Sequence, residues 1–426
     1  MSFMDYGSLI RLIGFGLSLL MLFFSFRSYR RKRLIDDMPT SKAHGVFIGL
    51  VEVSGKVECQ NPVTSYLTES PCVQCSWEIS EHWSKTTTET YTDSKGKTRT
   101  RTKRESGWKT VASGESMCPF NLRDETGTIQ IRPEKAKIEG VRAMNLRCRP
   151  SDPLYYGKGP AESIIHSDHL RMFTESIIPL DARVYVIGQS REREDVVAPE
   201  IAHDESSPLF LISTREEDRI SKSYSLNYWL LSLGGLGVLL ISFFIASRIG
   251  FYRWIPSGVS DYFMPTGIYL GLWLIGWFWT TFNSLKSLRE RVRQGFSQIE
   301  VQLKRRHDLI PRLSSAVSSL MKHEQSIQTK IAALRSEAAV NEEAAERLLL
   351  LIENYPELKS SDAVSRLQRE LSDTENRLEL ARAYYNNIAT FYNTRLERIP
   401  DNIVATLARL KNCELLLQSK SDGDSK

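Results

Sequence analysis

The feature that most constrains this chain is an apolar stretch that continues, with no turn residue, into a long amphipathic segment between residues 266 and 324. From Leu285 to Leu320 the apolar residues recur at three-and-four spacing, which is typical of a helix that buries one face. A straight helix over this range would measure roughly 90 Å at 1.5 Å per residue. The sequence therefore predicts a stiff rod that leaves a membrane and carries a helical domain at a fixed position.

Three apolar stretches, at about residues 8–26, 228–246 and 266–282, predict three transmembrane helices. The first is followed by the cationic residues of Arg27–Arg33 and has no small-residue cleavage site, so we interpret it as a retained anchor. This cationic segment and a second one, Lys286–Arg293, flank the two large soluble segments. Because Lys and Arg residues that flank transmembrane helices are enriched on the cytoplasmic side, this distribution predicts a multi-pass protein with its N-terminus outside and both soluble domains in the cytoplasm.

The two soluble segments have opposite patterns. Residues 44–215 contain short alternating or β-branched runs between Gly, Pro and Asp residues, which predict a β-barrel or sandwich. Residues from Leu285 onward have the helical period, which predicts an antiparallel helical bundle with coiled-coil-like packing. A last short helix is predicted from about Asp401 to Gln418, with Asp401 able to cap it. The predicted fold class is thus an α+β multidomain membrane protein. Its predicted parts are an anchor with a basic flank (1–33), a β domain (38–220), a transmembrane hairpin (226–284), a bundle (282–418) and a disordered tail (419–426).

The charge pattern predicts membrane lipids, and not nucleic acid, as a partner. The net charge is only +5 over 426 residues, and the basic residues concentrate beside the apolar stretches, where anionic headgroups attract them. The interval 84–107 is polar and basic, and it predicts an extended or mobile hairpin that is either solvated without a partner or in contact with anionic lipid or an acidic protein.

A dense charged turn in the first bundle helix supplies candidate partner-binding residues. Two interpretations stay open: these residues form ion pairs inside the bundle, or they bind another protein. The candidates on this turn and on the second long helix are Lys304, Arg305, Arg306, His307, Asp308, Glu375 and Asn376. In the second apolar stretch Gly234, Gly235 and Gly237 predict close packing against a neighbouring helix.

The sequence predicts no catalytic residues, no metal site and no cofactor. Five of the six cysteines lie between Cys59 and Cys148, and the Cys72-x-x-Cys75 motif has no second pair at the spacing of a structural zinc site. Buried strand cysteines are the favoured interpretation; a metal site that includes Cys118, Cys148 and His82, or redox chemistry, are the alternatives. No phosphate-binding glycine loop or nucleophile–base spacing occurs.

Residues 282–405 resemble the LemA family. The resemblance lies in FNSLKSLRERVRQGFSQIEVQLKRRHDLIPRLSSAV, the KHE that follows, LQRELSDTENRLELARAYYNN, FYNTRL and RIPDNIVA. It implies a helical bundle tethered by a transmembrane helix in a bacterial membrane protein, and it implies no catalytic residues. The chain departs from the usual LemA arrangement because a large segment precedes the bundle.

Residues 45–214 are similar to the GIDE domain, a membrane-adjacent β module of mitochondrial ubiquitin ligases. The similarity lies in GKVECQNPVTSYLTESPCVQCSWEISEHW, MCPFNLRDETGTIQIRP, HLRMFTESIIPLDARVYVIGQS and PLFLIST. In that family the ligase activity belongs to a separate C-terminal RING domain with eight metal ligands. Here the LemA-like bundle occupies that position with Cys413 as its one cysteine, so ubiquitin transfer is not implied.

The sequence thus predicts a non-catalytic scaffold of the bacterial inner membrane. It would hold the β module and the bundle for partner assembly or membrane organisation, with self-association and unidentified membrane or cytoplasmic proteins as partners. The alternative is a membrane-bound sensor whose β module binds a small ligand or a lipid.

Overall fold

The computed structural model describes residues 6–92, 98–193, 198–205, 207, 209–249, 260–320 and 362–416. It divides into two compact units. The β unit comprises Thr40–Glu217, and the helical unit comprises Met1–Pro39 together with Asp218–Lys426. The predicted disordered tail 419–426 lies outside the described residues.

Within the described residues, the β unit consists of two antiparallel-rich sheets and a short helix. Its elements are β1 (Gly49–Glu58), β2 (Val63–Thr64), β3 (Pro71–Thr92), β4 (Thr98–Met117), β5 (Phe120–Arg123), β6 (Thr128–Ile131), β7 (Lys137–Glu139), β8 (Val141–Cys148), α2 (Pro153–Gly157), β9 (Ser167–Pro179), β10 (Arg183–Glu192), β11 (Pro199–Ala202) and β12 (Leu211–Ser213).

The first sheet closes into a barrel. Its strands follow the order β1-β5-β6-β11-β10, and β1 pairs again with β10, which completes a ring of five strands that β12 and β7 extend. Alternation explains the filling of the barrel, since inward positions such as Ile129 and Ile131 of β6 are buried while Thr128 is exposed. Val53, Leu122 and Val186 from neighbouring strands belong to the same core. The predicted β domain is therefore confirmed as a barrel.

The second sheet contains a long hairpin. β3 pairs with β4 from Gln74 opposite Met117 to Thr92 opposite Thr98, and β9 lies on the other edge of β3. The described parts of the predicted excursion, residues 84–92 and 98–107, form the outer half of this hairpin. Its side chains are mostly exposed, which is consistent with the polar composition of the segment.

A buried ion pair links β3 and β9. Arg171 and Glu81 are fully buried, and the Arg171 guanidinium lies 3.1 Å from Glu81 Oε2. The remaining Arg171 donors bind the carbonyls of Tyr155, Pro160 and Glu162, so this arginine also fixes the loop around α2. Burial opposes ionisation of Glu81, but the hydrogen bond from Ser167 and the charge of Arg171 outweigh it and hold the pKa of Glu81 below its ordinary value of 4.5.

The helical unit contains, within the described residues, four long helices and a short one. α1 (Tyr6–Asp36) precedes the β unit, α3 (Glu217–Ile249) follows it, and α4 (Ser260–Leu320) continues the chain. Leu22, Leu239 and Tyr269, one from each helix, form a buried cluster. Polar contacts add to it, since the Ser25 and Ser232 hydroxyls lie 2.6 Å apart and Tyr269 donates to the Ser232 carbonyl at 2.7 Å.

Two described helices are long and apolar enough to cross a membrane, Tyr6–Asp36 and Glu217–Ser247. Only 22% and 28% of their most apolar windows are buried inside the protein, so both expose apolar side chains outward. A core helix of a soluble protein buries most of its surface; these two do not, which is consistent with membrane association.

The prediction of three transmembrane helices was wrong in number. Residues 266–282 do form helix, but three tryptophans, a tyrosine and three glycines lower the mean hydropathy of this part of α4. Its residues Tyr269 and Trp273 instead pack against α1 and α3. The predicted orientation depended on three crossings and does not follow from two.

The bundle region is built on two antiparallel helices, α4 and α5 (Asp362–Glu397). Ser284 lies beside Arg395, Phe296 beside Tyr385 and Arg306 beside Glu375, so residue numbers rise along one helix as they fall along the other. Much of the predicted stripe is buried here; the buried members are Leu285, Leu288, Val292, Ile299, Ile310, Leu313 and Val317. α4 is continuous helix through Asn283 and through Pro311.

The last helix is shorter than the sequence indicates. α6 (Asp401–Leu407) replaces a predicted helix over 401–418, and residues 410–416 have no regular secondary structure. Two asparagines of α5 hold this segment. The Asn386 side chain bonds both the amide and the carbonyl of Leu416, and Asn393 does the same with Cys413, all at 2.8–3.0 Å. The two asparagines are seven residues apart and therefore share one helix face.

We expect Glu81→Gln to destabilise the β unit, because Arg171 then stays buried without a counter-charge, at a cost of about 3–5 kcal/mol. Thermal unfolding of the purified full chain measures this. Glu105→Gln, which removes an exposed partner of Lys103, is the control and should leave the melting temperature unchanged.

The effect should also depend on pH. A lowered folded-state pKa means that ionised Glu81 contributes stability above pH 4.5, and that this contribution is lost as the pH falls through the folded-state pKa. The gap in melting temperature between wild type and Glu81→Gln should therefore narrow below pH 4.5. A gap that stays constant or widens at acidic pH would contradict this assignment.

Candidate functional site

The strongest candidate site in the helical unit is a buried ion cluster at the end of α1. We call it the junction cluster, and it consists of Arg33, Asp37, Ser284, Arg395 and Asp401. Arg33 binds Asp401 through two nitrogens at 3.0 and 3.1 Å. Arg395 donates to Asp401 at 2.5 Å and also pairs with Asp37, which accepts a further hydrogen bond from Ser284.

Four helices meet in the junction cluster. Arg33 is in the last turn of α1 and Asp37 follows its end, Ser284 is on α4, Arg395 is in the last turn of α5, and Asp401 begins α6. Two arginines face two aspartates, so the charges balance. The sequence suggests Asp401 as a capping residue for α6, but no side-chain cap forms there because its carboxylate binds the two guanidinium groups.

The junction cluster is almost completely shielded from solvent. The side chains of Asp37, Arg395 and Asp401 are 4–6% exposed, and that of Arg33 is 16% exposed. Burial raises the pKa of Asp37 above its ordinary value, while Arg395 and the Ser284 hydroxyl lower it. Arg33 and Arg291 lower it to a smaller extent, so the negative charge of Asp37 depends on all of these partners. Removal of any one member of a buried set of ion pairs leaves an uncompensated buried charge, which is strongly destabilising.

The predicted partner-binding residues do not form one surface. Arg306 is buried against α5, with its Nε 3.4 Å from Glu375 Oε1, and Arg305 lies 3.6 Å from Asp373. The others, Lys304, His307, Asp308 and Asn376, are exposed. Two of the seven candidates thus pair with each other across the bundle, and binding of another protein by the exposed four stays a prediction.

The predicted packing glycines differ among themselves. A methyl group at Gly235 would lie 2.8 Å from the Tyr269 hydroxyl and 3.2 Å from the Ser18 carbonyl, so Gly235 permits close approach inside the chain. A methyl group at Gly234 would meet Met21 at 3.0 Å. No atom lies within 4 Å of that position at Gly237. Packing of this face against another copy stays a prediction, and Gly237 is the glycine with space for it.

The cysteines of the β unit are buried or half-buried. Burial, with the neighbouring Cys75 as a smaller cause, raises the pKa of Cys72 to about 12, and burial with the neighbouring Cys59 raises that of Cys118 to about 11. Such thiols are poor nucleophiles at neutral pH. Among the described residues no three His, Cys, Asp or Glu side chains are placed to hold a metal ion. His82 pairs instead with Asp168 at 2.6 Å.

Sequence reasoning missed the junction cluster, although one signal was present. In α5 the residues Thr374, Ala381, Ile388 and Arg395 recur every seven positions along the buried stripe. An arginine at the fourth of these positions breaks an otherwise uncharged repeat. A buried cation in a heptad position predicts a buried carboxylate partner, because an unpaired charge there is too costly.

We expect Asp401→Asn to destabilise the helical unit by about 3–5 kcal/mol, because it leaves Arg33 and Arg395 buried with one carboxylate between them. Chemical denaturation of the full chain in detergent measures the change. Asp218→Asn removes the exposed partner of Lys222 and is the control that should show no change. Equal effects of the two substitutions would contradict a structural role for the junction cluster.

We expect Gly235→Leu to lower the melting temperature of the full chain in detergent. The added side chain collides with α1 and α4, and overpacking of this kind costs about 1–3 kcal/mol. Gly237→Leu adds the same side chain to the same helix in open space, so it should leave the melting temperature unchanged or higher. A loss at Gly237 equal to that at Gly235 would show that the packing of α3 differs from this structure.

Comparison with known proteins agrees with the resemblances drawn from the sequence. The profile of the LemA family matches residues 295–424. The GIDE profile, described as E3 ubiquitin ligase, matches residues 88–246 and so extends from β3 into α3. Both predicted resemblances are confirmed.

The chain is also similar to two proteins of Paramagnetospirillum magneticum, magnetosome protein MamQ 1 and magnetosome protein MamQ 2. Identity is 32% over 79 residues, which is 18% of this chain and 29% of each relative. The chain thus matches less than a third of the length of these curated relatives. Together with its two apolar helices, these matches identify a membrane-associated polypeptide in which a GIDE region precedes a LemA-family region.

Proposed function

We propose that this protein is a membrane-anchored, non-catalytic scaffold that holds a β module and a LemA bundle for the assembly of partner proteins or the organisation of the membrane. The observation that carries the proposal is the junction cluster, which joins the end of an apolar helix to three helices of the bundle region. Membrane lipids, further copies of the chain and other proteins are its proposed partners.

Two features of the helical unit support fixed positioning. α4 runs from its apolar part into the bundle as one helix with no break at Asn283, so the two parts share one axis. The junction cluster adds a second attachment, because Arg395 and Asp401 at the far end of α5 bind residues that end α1. A bundle attached at two points has less freedom to rotate than one on a single linker.

The non-catalytic part of the proposal is supported by the side chains that follow the GIDE match. The residues after 246 include one cysteine, Cys413, and two histidines, His307 and His323. A RING domain of the kind that carries ligase activity in GIDE ubiquitin ligases needs eight such ligands. Three cannot supply the two zinc sites of that domain.

A second candidate function is a sensor whose β module binds a small ligand. A cleft of about 450 Å³ in the β unit, lined by residues that include Ser41 and Lys56, favours it. This volume is within the range of small-molecule sites.

The scaffold proposal predicts that assembly depends on the continuity of α4. Insertion of a Gly-Ser-Gly-Ser segment after Asn283 should abolish the high-mass species obtained when native membranes are treated with a crosslinker. The apolar part of α4 and the bundle then no longer share one axis, and the bundle has only the attachment through Arg395 and Asp401. The same insertion after Leu416, beyond the last described residue, is the control and should preserve them.

Two results would count against the scaffold. One is wild-type protein that crosslinks to nothing, and the other is an insertion after Asn283 that leaves the crosslinked species intact. Incubation of the purified full chain with ubiquitin, an activating enzyme and conjugating enzymes tests the non-catalytic part. Formation of ubiquitin conjugates would refute it.

A further inference from the structure

The cleft in the β unit is strongly cationic. Its volume is about 450 Å³, and its lining includes Lys42, Lys56, Arg123 and Arg183. Asp124 and Glu125 are the acidic residues of the lining, so two positive charges are in excess. All of these residues belong to the β unit.

Three of the cations are neighbours by strand register. Lys56 of β1 is directly opposite Arg183 of β10 on one side and directly opposite Arg123 of β5 on the other. Directly opposed residues of antiparallel strands project from the same face with Cβ atoms about 4.5–5.5 Å apart, and like charges in such pairs repel. A lysine flanked by two arginines is therefore an unfavourable arrangement unless an anion lies beside it.

The chain itself neutralises this group only in part. Arg123 pairs with Glu58 at 2.6 Å, but both side chains are exposed, and the Lys42–Glu125 pair is also exposed. Such surface pairs contribute little and exchange readily with another anion. In the part of the chain that the structure describes, Lys56 and Arg183 have no carboxylate partner; Arg183 donates only to the neutral Ser54 hydroxyl at 3.5 Å.

The carboxylate of Asp124 binds backbone and hydroxyl groups of the chain and not the cations of the cleft. Its Oδ2 accepts the Ala43 amide at 2.7 Å. Its Oδ1 accepts the amides of Thr126 and Gly127 and the Thr126 hydroxyl, at 2.7–3.0 Å. These bonds hold the carboxylate against the backbone of the turn. The positive field of the cleft is therefore left for a ligand.

A buried hydroxyl provides an independent observation. Ser41 lines the cleft and is only 6% exposed, yet its Oγ has no hydrogen-bond partner among the described residues. A buried hydroxyl without a partner costs free energy, and nearly all such groups in folded proteins are paired with protein, water or ligand. The Ser41 Oγ is itself shielded from solvent, so it would reach a ligand oxygen in the cleft after rotation about the Cα–Cβ bond.

We propose that the cleft binds a phosphate group, with Lys56 and Arg183 as its charge partners and the Ser41 hydroxyl as a hydrogen-bond donor. Two excess positive charges match the dianion of a phosphate monoester and exceed the single charge of a lipid phosphodiester, and a guanidinium group pairs with the oxygens of either in a fixed geometry. The phosphate belongs either to a small soluble molecule or to a lipid headgroup. The proposal deepens the sensor candidate and is independent of the scaffold, which stands if the cleft binds nothing.

The test is calorimetric titration of the purified full chain in a neutral detergent. Four probes are used in turn: inorganic phosphate, glycerol 3-phosphate, dihexanoyl phosphatidylglycerol and dihexanoyl phosphatidylcholine. Binding of the first two alone identifies a soluble phosphate, and binding of phosphatidylglycerol in preference to phosphatidylcholine identifies an anionic headgroup. Either result supports the proposal, and no binding of any probe at millimolar concentration overturns it.

The variants assign the binding to this cleft. Lys56→Gln and Arg183→Gln should each weaken it by about tenfold or more, since each removes a charge-assisted contact. Lys109→Gln, an exposed lysine on β4, is the control and should bind as wild type does. Equal affinity in Lys56→Gln and Lys109→Gln would overturn the assignment.

A measurement without ligand gives a further check. Lys56→Gln relieves the repulsion by Arg123 and Arg183, so in phosphate-free buffer it should melt at or above the wild-type temperature. Addition of the bound probe should then raise the melting temperature of wild type and not of the variant. A variant that melts below wild type without ligand would show that Lys56 has a structural role and would overturn the proposal.

Discussion

The pairing of Arg395 with Asp37 and Asp401 is the interaction on which the helical unit depends. Placing four charged side chains out of water costs several kcal/mol for each ion, and their mutual attraction offsets this only if the geometry is nearly complete. The cluster meets that condition because each guanidinium binds a carboxylate and Ser284 adds a hydrogen bond to Asp37. Apolar packing alone would tolerate small rotations of α5 against α4. Directional ion pairs do not, so they define one arrangement of the helix ends.

The helices of this protein could be predicted from their periodicity, but their attachment could not. The stripe from Leu285 to Val317 is visible in the sequence because helix period depends on neighbours three and four residues away. Asp37 and Arg395 are 358 residues apart, and nothing local indicates that they meet. The length of α6 was overestimated for a related reason. Residues 410–416 have side chains compatible with helix, but the amides of Asn386 and Asn393 bind their backbone.

In the β unit, too, the local strand pattern could be predicted from the sequence and the long-range pairing could not. Alternation predicted strands, and it predicted a barrel or sandwich without deciding between them. Closure of the barrel depends on the second pairing of β1, with β10, which joins residues about 130 positions apart. The cationic cleft follows from that closure, because only the register places Lys56 between Arg123 and Arg183. The third transmembrane helix was overpredicted because its aromatic residues were treated as fully apolar. Tryptophan and tyrosine favour the interface between lipid and water over the bilayer core.

The two asparagines of α5 have a consequence for how this chain can vary. Each amide recognises main-chain atoms of Cys413 or Leu416 and ignores the side chain attached to them. These hydrogen bonds therefore exclude only proline at positions 413 and 416, because it lacks the required N–H group. A separate requirement for apolar side chains comes from the packing of both residues against the core of the bundle. The asparagines themselves are more restricted. Replacement by aspartate would remove the N–H donor, and replacement by leucine would remove both hydrogen bonds. Variation among apolar residues at 413 and 416, together with constant asparagines at 386 and 393, is the pattern to look for among related chains.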